Sequence, residues 1–255
     1  MPVDLPLASL AASGGVIFFA YFIRGIAGFG SALIAVPLLT LLGLDFTLLV
    51  PLICLLDFSA SISQGVKDRC QIRYSDLWPL LPFTLVGVVT GVYLLANLDH
   101  RLMGLALALF IITFAIYSLL PLPQYYGNRG WAGPAGFLGG MVGAVFGTGG
   151  PFYVIYFRLR GLDKGQFRAT ISLNFVIDGS LRLIFFMVGG LLAGQVFLTF
   201  LILLPLMAGG LYLGRRVHVR ISQQGFVWLV SAILLLSGLA LLLRSGGLRI
   251  VAGLL

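Results

Sequence analysis

Polar residues in this chain fall between long apolar segments and seldom inside them. Apolar segments run over 7–43, 46–66, 77–96 and 102–120, and again over 131–157, 169–188, 195–214 and 224–243. The uninterrupted ones are close to the roughly 20 residues a helix needs to cross a bilayer core. The first segment of each series is broken by a glycine cluster, at Arg24 to Gly30 and at Gly147 to Gly150. The polar stretch "PLPQYYGNRG", residues 121–130, separates the two series. The pattern predicts an all-α polytopic membrane protein of two repeats, 1–120 and 131–255, joined by a linker at 121–130. Each repeat is an interrupted helical hairpin followed by three transmembrane helices.

Residue matches between the halves support the repeat. Gly28 and Gly30 correspond to Gly147 and Gly149 at an offset of 119, and Asp57 corresponds to Asp178 at 121. Pro82, Gly87 and Gly91 correspond to Pro205, Gly210 and Gly214 at 123. The order is kept and the offset grows slowly, as short insertions would make it.

Composition agrees with the segment pattern: 60% of residues are hydrophobic and 9% charged, and mean hydropathy is +1.08. No large soluble domain fits, because soluble domains carry about 25% charged residues. The net charge of +8 does not point to nucleic acid, because the basic residues sit in short loops. Eleven lie in loops 67–76, 121–130, 158–168 and 215–220, against Arg101, Arg244 and Arg249 elsewhere outside the segments. The positive-inside rule places those four loops in the cytoplasm and both termini outside. The basic loops then occupy non-equivalent positions in the two halves, so the halves face opposite ways. Inverted repeats with substrate held at broken helices are a transporter architecture.

This orientation puts cytoplasmic charge, Arg129 and Arg158, at both ends of 131–157. Twenty-seven residues cannot cross twice as helix, which takes about 40. A re-entrant hairpin is expected there. Residues 7–43 are longer and fit either a re-entrant hairpin or two nearly full crossings.

Several residue types add little. Cys54 and Cys70 suggest neither a metal site nor a disulfide. The start, "MPVDLPLASL", does not read as a cleaved signal peptide. His100 and His218 fall in loops, and Trp78, Trp131 and Trp228 mark interfacial belts.

The broken segments carry the chemistry. Glycines free the backbone to turn. Ser31 is expected to cap a half-helix starting at Ala32, and Pro151 suits the first turn of its counterpart. The N–H groups and positive dipole ends of these half-helices suit an anion near the membrane midplane. The bland alternative is that the glycines serve close helix packing. Arg24 lies one turn before the first tip, where a charge is expensive in hydrocarbon. It reads either as part of the anion site or as a structural pair with an aspartate. Asp57 shares a helix face with Ser61 and Gln64, and Asn174, Asp178 and Arg182 follow one another at steps of four. Asp57 reads either as a coupling or gating group or as a helix–helix hydrogen-bond partner. Asp178 and Arg182 read foremost as an i,i+4 ion pair.

The stretch "GIAGFGSALIAVP", Gly25 to Pro37, together with "GAVFGTGGP", Gly143 to Pro151, resembles the sulfite exporter TauE/SafE family, also called the 4-toluene sulfonate uptake permeases. The resemblance covers essentially the whole chain. It implies a secondary carrier, in a prokaryotic cytoplasmic (inner) membrane, for a sulfur-containing anion such as sulfite, sulfoacetate or another sulfonate. The motifs carry over as Gly28, Phe29, Gly30 and Ser31, and as Gly147, Thr148, Gly149, Gly150 and Pro151. With Arg24, and without Pro151, these are the expected substrate-binding residues. Asp57, Gln64, Asn174, Asp178 and Arg182 are the expected coupling or gating residues, with a proton or sodium ion as coupling partner.

No cofactor, metal or nucleic-acid partner is expected, and no Walker motif points to direct use of ATP. An intramembrane enzyme acting on a lipid phosphate fits poorly. All eight acidic residues are Asp, and no nucleophile–base pair is evident. An anion channel remains the alternative to a carrier.

Overall fold

The structure, a computed structural model, describes residues 7–65, 69–120, 127–217 and 223–244. Over these residues it is helical throughout, without a strand. The helices are α1 (Leu7–Ala27), α2 (Ser31–Leu41), α3 (Phe46–Gly65), α4 (Tyr74–Leu77), α5 (Leu81–Asn97), α6 (His100–Leu119), α7 (Ala132–Phe146), α8 (Gly150–Leu159), α9 (Lys164–Val188), α10 (Gly194–Val217) and α11 (Gln223–Arg244). A 3₁₀ turn at Trp78–Leu80 joins α4 to α5, so residues 74–97 form one apolar span. Five helical stretches among the described residues are long and apolar enough to cross a membrane: Phe46–Ser63, Tyr74–Asn97, His100–Leu119, Gly165–Val188 and Gly194–Val217.

Both interrupted segments are hairpins, and their breaks are shorter than the sequence suggests. Only Gly28 to Gly30 and Gly147 to Gly149 leave the helical run. Arg24 belongs to α1, because the Gly28 N–H still donates to its carbonyl at 2.7 Å. Gly28, Gly30 and Gly147 then turn the chain with φ of 86°, 96° and 71°, values that glycine adopts without a Cβ clash. The returning arms are short. At about 1.5 Å per residue the 11 residues of α2 and the 10 of α8 reach roughly half of a 30 Å core. That length excludes two full crossings for 7–43: α1, with 21 residues, is a long arm and α2 a half-length return.

Glycines let the long arms lie backbone to backbone against full-length helices. A Cβ on Gly210 or Gly214 of α10 would strike the Phe18 or Phe22 carbonyl of α1. A Cβ on Gly87 or Gly91 of α5 would strike the Phe137 or Met141 carbonyl of α7. Without a hydrophobic difference between lipid and side chain, such close approach is what holds helices together in a bilayer. The main neighbours of the long helices are parallel in the two halves, whereas α2 packs on α11 and α6 without a matching set for α8. Helix α1 packs on α10 and α7 on α5, α3 touches α10 and α9 touches α5, and α3 packs on α9 and α6 on α11, so each of these pairs joins residues 1–120 to residues 131–255.

The outer surface is apolar. Leu109, Leu201, Ile202, Leu236 and Leu239 are exposed, as they would be facing lipid tails, and the exposed Trp78, Trp131 and Trp228 lie near helix starts. One charged cluster stands apart from the hairpin tips. Asp76, fully buried, faces Arg160 at 2.9 Å, Arg73 at 3.6 Å and Arg129 at 3.7 Å. It thereby ties the turn before α5 to the end of α8 and the start of α7. Both cysteines are free, Cys54 buried and Cys70 exposed. His218 and Arg220 lie outside the described residues, as do parts of the 67–76 loop and of the 121–130 linker.

Candidate functional site

At the first hairpin tip, α1 carries Arg24 into a buried polar knot. Its Nη1 donates to Asp57 Oδ1 at 2.6 Å and to Ser31 Oγ at 3.1 Å. Its Nη2 donates to Ser61 Oγ at 2.7 Å and to the Asp57 carbonyl at 3.3 Å. Asp57 Oδ1 also accepts from the Tyr21 and Ser31 hydroxyls, both at 2.6 Å. The guanidinium lies about 6 Å from the ring centres of Tyr21 (5.9 Å) and Phe175 (6.0 Å), within cation–π range. Arg24 is thus paired with an aspartate and is not a bare charge. Ser31 is not the helix cap expected from the sequence. Gly30 takes that position without any side-chain bond, and the Ser31 hydroxyl turns to the carboxylate. A bond to an ionised acceptor is stronger than one to a peptide N–H, so the carboxylate wins the hydroxyl.

At the second tip both charges sit on α9. Arg182 Nη2 lies 2.7 Å from Asp178 Oδ2, the i,i+4 pair that the spacing suggests. Arg182 Nη1 donates to the Gly143 carbonyl at 3.0 Å, near the end of α7, and the Tyr153 hydroxyl donates to Asp178 Oδ1 at 3.0 Å. Gly149 is pressed so closely onto Gly139 that a Cβ would collide with the Gly139 carbonyl. Gly139 in turn leaves room for the Tyr153 ring, 2.6 Å from where its Cβ would be.

The two tips share one cavity. Arg24, Gly30, Asp57, Thr148, Gly149 and Arg182 are in its wall, and Phe29, Phe58 and Phe175 add apolar area. Counted with the solvent it opens to, the empty space is about 450 Å³. The first turns of α2 and α8 both border it, through Ala32 and Leu33 and through Gly150 and Pro151. Several buried polar atoms near it have no partner: Thr148 Oγ1, Arg182 Nε and Arg24 Nε, together with Asn174 Oδ1 and Nδ2. Buried polar groups are ordinarily satisfied, so unpaired donors in a cavity wall mark places for a ligand or water.

Most residues singled out from the sequence are gathered here. Gly147 and Gly150 complete the wall of the second tip. Ser31 lies behind the wall of the first tip, bonded to two of its members. Gly28 forms the turn with open space around its Cα. Asn174 and Asp178 are buried on α9 beside the wall but do not line it, and the Gln64 side chain falls outside the described residues. Sequence reasoning missed Tyr21, Tyr153, Phe58 and Phe175. Tyr21 was findable, being one turn before Arg24 on the same helix face. The others arrive from elements whose meeting only the fold decides. No cluster of His, Cys and Asp able to hold a metal occurs among the described residues.

Known proteins point the same way. The family profile described as "Sulfite exporter TauE/SafE" matches residues 13–241. A curated relative, "Probable inner membrane transporter protein TsaS" of Comamonas testosteroni, is 29% identical over 194 residues, covering 74% of this chain and 81% of the relative. No solved structure matches. Membership follows from a match that spans most of the chain, and a transporter, not an enzyme, is what both descriptions name: the chain belongs to the sulfite exporter TauE/SafE family of membrane transporters.

Proposed function

We propose that this transporter is a secondary active carrier. It moves a small sulfur-containing anion (sulfite, sulfoacetate or another sulfonate) across the cytoplasmic inner membrane, holding it between the two hairpin tips. One observation carries the reading. The N-terminal turns of α2 and α8 border one cavity whose wall also holds Arg24 and Arg182. Free N–H groups and positive dipole ends at half-helix starts are suited to oxyanions. Arg24, Phe29, Gly30, Thr148 and Gly149 are the contact residues in this reading, with Gly28, Ser31, Gly147 and Gly150 shaping the tips. Asp57, whose side chain is 15% exposed and lies in the wall, is the coupling site for a proton or sodium ion. Gln64, Asn174, Asp178 and Arg182 are assigned to gating.

The carrier works as two inverted repeats, 1–120 and 131–255, with the four basic loops in the cytoplasm and the termini outside. Alternating access then consists of rocking one repeat against the other around the shared cavity. The matching pairs α1–α10 and α7–α5, and α3–α10 and α9–α5, support the internal repeat.

Purified protein should be stabilised against heat by sulfite or a sulfonate more than by a carboxylate of equal charge. In liposomes, unlabelled anion on one side should accelerate uptake of labelled anion from the other. Trans-acceleration is the behaviour of a carrier and not of a channel, and flux that never saturates would favour the channel reading. Cysteine labelling should find Cys70 and the 158–168 loop on the cytoplasmic side. Labelling of either from outside would overturn the inverted arrangement.

A further inference from the structure

We infer that the cavity takes its ligand as a monoanion, so that singly charged sulfonates and hydrogensulfite are bound in preference to sulfate, sulfite dianion and sulfoacetate. The inference rests on the transport reading above and narrows its substrate class.

The argument is a count of charge around one cavity. Two arginines line it, and neither is free. Arg24 is held 2.6 Å from Asp57, and Arg182 is held 2.7 Å from Asp178. The side chains of both arginines are 5% exposed or less, so little water screens these pairs. The formal charge of the four side chains therefore cancels. The other ionisable groups packed against them, Tyr21, Tyr153 and Cys54, are neutral in their ordinary forms.

What remains is backbone. The first turns of α2 and α8 border the cavity, each worth about half a positive charge. The opposite, negative helix ends also come to the cavity, through Arg24 in the last turn of α1 and Gly147 just after α7, and they offset part of that charge. The carbonyl of Gly143, in the last turn of α7, is already engaged by the Gly147 N–H at 2.8 Å and by Arg182. With the side-chain charges paired, the field presented to a ligand is at most about one positive charge, which leaves nothing to balance a second negative charge.

Donors of no net charge complete the match. Thr148 is 2% exposed, lies in the wall, and its hydroxyl has no partner. The Nε atoms of Arg24 and Arg182 are likewise unpartnered. These can hydrogen-bond the oxygens of a tetrahedral head without adding charge. A second negative charge on the ligand would meet no compensation except by displacing Asp57 or Asp178 from its arginine.

The test uses two anions with the same tetrahedral head and different charge, methanesulfonate and sulfate. Binding to the purified full-length protein is measured by titration calorimetry, and exchange by counterflow in liposomes. Methanesulfonate should bind about tenfold or more tightly than sulfate, the size expected of one uncompensated charge in a partly screened site. Asp57→Asn, which keeps the shape and removes one negative charge, should move the ratio toward sulfate by about tenfold. Should that variant not fold, Asp178→Asn makes the same test at the second pair, and the unmodified protein decides the first comparison alone. Equal or tighter binding of sulfate by the unmodified protein would overturn the monoanion assignment while leaving the anion site standing. An unmoved ratio in a folded Asp→Asn variant would do the same. Failure of both anions to bind would remove the site itself.

Discussion

The two hairpin tips answer the same problem, an arginine in the membrane interior, with different completeness. Around Arg24 nearly every donor and acceptor is used. The aspartate lies on a third helix, two hydroxyls bridge the pair, and a tyrosine fixes the carboxylate. Around Arg182 the partner is a neighbour on the same helix, one bond goes to a backbone carbonyl, and the nearby Thr148 hydroxyl and Asn174 amide are left without partners. The first tip is the more fully bonded of the two, with Arg24 Nε left open. The second leaves more of its polar atoms without partners. A fully satisfied network is rigid and specifies one geometry, whereas unpaired donors are paid for in stability and retained where something else completes them.

The largest effects should come from breaking the ion pairs. Asp57→Ala leaves Arg24 with Ser31, Ser61 and the backbone carbonyl of residue 57 but no counter-charge, and should destabilise the fold by about 3–5 kcal/mol, read as a fall in thermal midpoint in detergent. Arg24→Ala combined with Asp57→Ala should be milder than the sum of the single changes. Strict additivity would show that the pair does not interact. Asp178→Ala should be milder than Asp57→Ala by roughly 1 kcal/mol, because its carboxylate accepts from fewer groups. The reverse order would remove the contrast drawn here.

Hydroxyl deletions sharpen it. Ser31→Ala removes a group bonded to both Arg24 and Asp57 and should lower stability by about 1–3 kcal/mol. Thr148→Val removes a hydroxyl with no partner, so stability should hold or rise slightly, while anion affinity falls about tenfold, a loss of one hydrogen bond to a charged ligand. A Thr148→Val protein that is less stable and binds normally would make the second tip structural after all. The smallest difference is expected at the turns. Gly30→Ala and Gly147→Ala should each lower stability by about 1–2 kcal/mol, the strain of a side chain at positive φ, with Gly147 no worse than Gly30 because its nearest neighbours are 3.6 Å away.

Much of this was legible along the chain. The apolar segments predicted the helices to within a few residues, because in lipid every backbone group must be bonded within its own helix. A lone Arg24 among apolar residues and the clustered glycines marked the tips, because both are conspicuous where they are expensive or permissive. The Asp178–Arg182 pair was readable too, being local at four residues' spacing. The Arg24–Asp57 pair was not. Thirty-three residues separate its members, and nothing local says that α1 and α3 bring them to 2.6 Å. Ser31 was misread for the same reason: its local option, capping, lost to a carboxylate delivered from another helix.

Residue order by itself therefore determined that this is a helical membrane protein, where its helices break, and which side chains are too polar to lie in lipid unattended. Those follow from hydropathy and backbone hydrogen bonding, which act over a few turns. The tertiary structure decided which charge neutralises which, which hydroxyls are consumed and which are left open, and that both tips border one cavity. Those are properties of distance in space, and close packing of α1 on α10 and of α7 on α5 sets the distances.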